Sequence, residues 1–176
     1  MWVLWLAATL ACGTSDDSHG GTAVGNPGNL TSTLADLDPD LGLSGATLQV
    51  EQVVIGDCDG DTGSLGPGDL DVLAQESWSL PVHAACSAEL AFATPSLTLV
   101  GETTGDQPYS LRLDFAAQHW EGSKAPGEDL DLQISLAVVS ARDIEDAALE
   151  PGQQFDVPPD EGLGKLWSDQ VVLSLH

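Results

Sequence analysis

The chain of 176 residues carries 28 acidic against 4 basic side chains, a formal charge of -24 at pH 7. Such a field repels phosphate backbones and anionic headgroups, which excludes nucleic acid as a partner and favours divalent cations, basic proteins or a saline medium. Hydrophobic residues make up 42%, enough to pack one domain and too many for a globally disordered chain.

Residues 2–11 read WVLWLAATLA, an uninterrupted apolar run. As a helix it rises only about 15 Å, roughly half a hydrocarbon core, so the run predicts a signal-peptide core over residues 1–11 rather than a membrane span. Cys12 follows directly. The segment Thr9-Leu10-Ala11-Cys12 resembles a bacterial lipobox, with Ala11 as the small residue before the cut and Thr9 standing where that pattern favours Leu. The resemblance implies lipid attached to Cys12. Residues 12–29 are rich in Gly, Ser, Thr, Asp and Asn. They cannot bury enough apolar surface to offset their ordering entropy, which predicts a disordered tether ahead of a domain at 30–176. The stretch is also similar to the opening of surface lipoproteins of myxobacteria and their relatives, a likeness carried by residues 22–28 (TAVGNPG) that implies no activity.

From Leu30 the dominant period is two, the mark of strands with one buried and one wet face. Leu30 to Leu34 opens the fold. Ala46, Leu48 and Val50 continue into Val53 and Ile55 with a change of phase, which predicts a β-bulge. Val72 to Leu80 is a weaker strand. Cys86, Ala88, Leu90 and Phe92 form one strand and Leu97 and Leu99 another, separated by a turn at Thr94-Pro95. Tyr109, Leu111, Leu113 and Phe115 give the clearest alternation, and Leu130 to Val138 gives the next. Ser140 is placed to cap one short helix ending before Pro151-Gly152. Val171 to Leu175 closes the chain. The sum is an all-β protein, a single antiparallel β-sandwich of about 7–8 strands, because parallel strands would be apolar on both faces.

Three cysteines occur. With Cys12 taken by lipid, Cys58 and Cys86 remain as a disulfide, closing a loop that contributes roughly 3 to 4 kcal/mol in the chain-entropy model. Asp57, Asp59 and Asp61 alternate as carboxylates do at the start of a calcium loop, with Asp69 and Asp71 close behind. Thr62 stands where such a loop needs Gly, and its twelfth position is Gly68 rather than Glu. Asp36, Asp38 and Asp40 repeat the alternation around Pro39. His19, His83, His119 and His176 show no paired zinc spacing, and no nucleophile elbow or phosphate loop occurs; Gly162-Leu163-Gly164-Lys165 is only a fragment of the last. Trp78, Trp120 and Trp167 read as core residues, or as a sugar-stacking platform if exposed on one face.

The sequence therefore predicts an exported, lipid-anchored, non-enzymatic protein of the cell envelope (outer membrane, periplasmic or surface face), acting as a structural or binding module for a protein or glycan. The alternatives are a calcium-dependent adhesion or stability module centred on Asp57, Asp59 and Asp61, and an enzyme whose site is dispersed along the chain.

Overall fold

The computed structural model describes residues 27–176. The expected signal peptide, Cys12 and most of the expected tether lie outside the described residues.

Two sheets face each other across one core, so the all-β sandwich is present. The smaller sheet runs β11 (Val172–Leu175), β9 (Leu130–Ser135), β1 (Asn29–Ala35), β5 (Trp78–Ser79). The larger is built on two long strands, β2 (Leu43–Asp57) and β6 (Ala85–Glu102). Both halves of β2 are flanked, the first by β4 (Gly68–Asp71) and the second by β3 (Thr62–Leu65). On the far side of β6 lie β8 (Gln118–Glu121) and β7 (Pro108–Leu113), and β10 (Phe155–Val157) completes that edge.

The alternation works as expected in β7 and β9. Tyr109, Leu111 and Leu113 are buried, as are Leu130, Leu132 and Ile134, while the residues between them are not. Direction is different. The β1–β9 and β7–β10 ladders are parallel, against the expectation of a wholly antiparallel fold. Alternation reports that one face is buried and says nothing of direction. Leu30 and Leu130 pair across a hundred positions of intervening chain, and a connection of that length does not impose the antiparallel geometry of a hairpin.

Strand count also exceeds the expectation, at eleven among the described residues. The expected turn at Thr94-Pro95 lies instead inside β6. Phe92 pairs with Val50 and Leu97 with Leu48, so residues 93–96 of β6 bulge past the single residue Gln49. Proline has no amide to give a ladder and belongs in such a bulge. Ser96, 1% exposed, ties the bulge down, its hydroxyl donating to Ala93 O at 2.9 Å and accepting from Phe115 N at 2.9 Å. The phase change in β2 is the other side of this irregularity.

Two α-helices occur among the described residues where one was expected. α1 (Ala141–Ala147) has the foreseen cap, with Ser140 Oγ accepting from Asp143 N. α2 (Gly162–Ser168) was not foreseen, because two glycines in its sequence weaken helix propensity. Packing decides it: Trp167 is 2% exposed, and a side chain on Gly164 would collide with Pro158 O. Val72 to Leu80 is mostly a tied turn. Asp71 Oδ1 accepts from Ala74 N, Glu76 Oε2 accepts from Asp71 N, and only Trp78 and Ser79 form a strand.

Candidate functional site

The acidic loop after β2 has a defined local geometry. Asp57 Oδ1 accepts from Asp59 N and from Asp61 N, both at 2.9 Å, and the Asp57 backbone amide donates to Asp61 O at 2.8 Å. The carboxylate closes its own turn, as Asp does when it satisfies amides two or more residues on. Asp59 and Asp61 are exposed. No group of three or more His, Cys, Asp or Glu placed to hold a metal ion occurs among the described residues. Asp38 behaves likewise in the second acidic stretch, accepting from Asp40 N and from Ala141 N and so fixing the start of α1.

Cys58 and Cys86 are joined, with Cα atoms 5.0 Å apart. The tryptophans are not a shared platform. Trp167 is buried, and Trp78 and Trp120 are half-buried against the core. The aromatic pair found among the described residues is Phe92 with Phe115, edge to face at 5.8 Å. His119 is exposed on β8 between Glu89 and Glu121, which lie 3.8 and 3.3 Å away.

One part of the fold is open in a way that the sequence reading missed. β5 covers only Asn29 and Leu30 of β1. Beyond them the chain segment 72–77 stands off from β1, and two hollows of 330 and 230 Å3 fill the space. Thr31, Ser32 and Thr33 form one wall and Gln75, Glu76 and Ser77 the other, with Asp129 at one end. Ser32 and Gln75 border both hollows. Ser32 is 3% exposed and its Oγ has no hydrogen-bond partner. A buried, unpartnered hydroxyl is unusual, since buried polar groups are normally paired. The outward threonines are committed: Thr31 Oγ1 donates to Asp131 Oδ1 at 3.0 Å and Thr33 Oγ1 to Asp131 Oδ2 at 3.2 Å. They hold β1 rigidly against β9. The sequence did carry a signal here, because Ser32 occupies the core phase between Leu30 and Leu34, where an apolar residue is the ordinary choice.

A separate hollow, of 330 Å3, lies between Asp114, Gln118 and Ser168. Asp114 N donates to Ser168 Oγ at 3.0 Å, while Asp114 Oδ1 and the nearby Arg112 Nε are buried without partners. Among the described residues Tyr109 is the titratable group with a clear displacement. Burial, aided by the negative charge of Asp38, pushes its phenol up to about 12. Its hydroxyl is closed in by Gly101, 1% of the residue being exposed, so it meets no substrate-sized space.

Set against protein-family models, curated proteins and solved structures, the chain matches none, and the functional reading rests on its own residues and geometry.

Proposed function

We propose that this chain is an envelope lipoprotein whose β-sandwich is a binding module rather than an enzyme. The observation that carries the binding role is the incomplete small sheet, in which β5 pairs with only Asn29 and Leu30 and the rest of that edge of β1 borders a polar groove. Unpaired strand edges recruit extended partners, and natural folds that do not use them bury or blunt them. The anchoring role is supported by the apolar run at 2–11 and by Cys12 directly after it. Cys12 also accounts for the odd thiol, since Cys58 and Cys86 pair with each other. Lipid at Cys12 would place the groove in the envelope, within reach of other surface components.

Two measurements test this reading. Cells fed an alkyne fatty acid should label the parent chain and not Cys12→Ser; a labelled Cys12→Ser, or an unlabelled parent, removes the anchor. A photo-reactive side chain at Thr33, exposed on β1, should give a discrete adduct in intact envelopes, and one at Glu51, exposed on β2, should not. Equal adducts at both positions would remove the binding role from the groove.

A further inference from the structure

We propose that the open edge of β1 receives an extended, cationic segment of a partner protein, added as a strand that continues the ladder begun by β5. This inference rests on the binding-module reading and names the partner class.

Backbone direction comes first. Along a strand, successive residues turn their amide and carbonyl groups to opposite edges. Gly28 O accepts from Leu80 N at 2.8 Å, so even-numbered positions face the β5 side; Ala35 O accepts from Leu136 N at 2.9 Å, so odd-numbered ones face β9. Ser32 and Leu34 therefore present their backbone groups to the groove, where β5 no longer reaches. The devices that ordinarily discourage strand addition are missing: Asn29–Ala35 contains no Pro, Lys or Arg, and its pairing with β9 is unbroken by any bulge.

Charge selects the occupant. The first cation of the chain is Arg112, so neither wall of the groove, residues 29–35 and 72–77, holds a Lys or Arg. Glu76 and Asp129 border it, and Asp131 and Asp71 stand directly behind the walls. A segment with alternating Lys or Arg would bring opposite charge to the Glu76 and Asp129 carboxylates that line the groove. A second copy of this chain, at -24, would bring carboxylates against carboxylates.

The test uses the full chain and a labelled short peptide alternating Lys with Val, together with two controls: its Glu–Val counterpart, and the Lys–Val peptide N-methylated at alternate residues on its pairing edge. Binding should be seen for the Lys–Val peptide, weaken as salt rises, and be absent for Glu–Val. N-methylation keeps the charge and deletes several backbone bonds, so affinity should fall roughly tenfold or more. Hydrogen exchange should slow at the Ser32 and Leu34 amides on addition of the Lys–Val peptide. Ser32→Pro, which removes one groove-facing amide and leaves the β9 ladder whole, should weaken binding by a comparable factor. Undiminished binding of the N-methylated peptide, protection elsewhere on the surface, or no binding of any peptide overturns the proposal. The exchange readout needs no variant, so it stands if Ser32→Pro fails to fold. Adducts at Thr33 in intact envelopes alongside a failed peptide test would leave a binding module with a different partner; loss of both would remove the module as well.

Discussion

Cys58, one residue beyond the last rung Asp57↔Ala85 of the β2–β6 ladder, is bridged to Cys86, which sits in the irregularity between that rung and Gly56↔Ser87. The bond clamps the end of the longest strand pair among the described residues, close to where both strands leave the sheet for loops. Its removal frees the acidic hairpin and lengthens the unfolded chain's accessible states. Closing a loop of separation 28 contributes roughly 3 to 4 kcal/mol. Replacing both cysteines with Ser should therefore lower the melting temperature by about 10 °C. Scanning calorimetry of the two forms checks this, and equal midpoints would mean that the ladder alone holds the loop closed.

Tyr109 is the only tyrosine, so tyrosinate absorbance reports it without interference from another phenol. Its phenol titrates near 10 when unfolded and at about 12 when folded. The folded pKa is the higher one, so the associated stability is fully present below pH 10 and is lost as pH rises from 10 toward 12. By the top of that window the loss amounts to roughly 3 kcal/mol. Tyr109→Phe should abolish this alkaline slope, and at neutral pH it should be neutral or mildly stabilising, because the buried hydroxyl has no partner to lose. A parent phenol that titrates at its ordinary value in the folded protein would contradict the burial.

Gly164 tests why α2 exists. A Cβ there would strike the Pro158 carbonyl, so Gly164→Ala must push the helix off the segment before it or break the contact. Although Ala favours helix in isolation, the substitution is expected to destabilise by about 1–3 kcal/mol. Urea titration followed by tryptophan fluorescence is suited to this, since Trp167 is the buried anchor of that helix. A stabilised Gly164→Ala would show that propensity outweighs packing at this site.

These cases mark how far the sequence could be read. The core faces of β7 and β9, the cap at Ser140, the phase change in β2 and the Cys58–Cys86 bridge all follow from local rules: period, capping and the count of thiols. What eluded those rules depends on chain distant in sequence. The parallel β1–β9 pairing joins Leu30 to Leu130; α2 is held by Trp167 against its glycines; β8 and β10 are too short to show a period. The groove is the plainest instance. Local pattern identifies β1 as a strand, but only the early end of β5 leaves its edge open.

Sparse ion pairing at high charge predicts a response to salt. Among the described residues three pairs fall within bridging distance; two of them share His119, and the third joins Arg142 to Asp146 on the exposed face of α1. Nearly all carboxylates therefore repel one another with little local compensation. Raising ionic strength screens this repulsion, since the Debye length falls from about 30 Å at 0.01 M to about 10 Å at 0.1 M. The melting temperature should rise with sodium chloride over that range. A fall would mean that attractive pairs, rather than net charge, dominate the surface.

Asp57 separates a turn from a metal site. If its carboxylate serves the amides of Asp59 and Asp61, then Asp57→Ala should speed exchange at those two amides and cost about 1 kcal/mol, the usual effect of losing such an acceptor. Asp57→Asn keeps an oxygen acceptor and should recover most of that loss. Calcium gives the contrast. A cation bound by Asp57, Asp59 and Asp61 would stabilise the folded chain by mass action, so its melting temperature would climb with calcium concentration through the range of about 0.1 to 1 mM. Asp57→Asn would abolish the climb. For a carboxylate already occupied by two amides, the expected result is the same small shift from calcium and from magnesium, through screening alone. A calcium-specific rise that is lost in Asp57→Asn would make the loop a metal site and the turn its unloaded form.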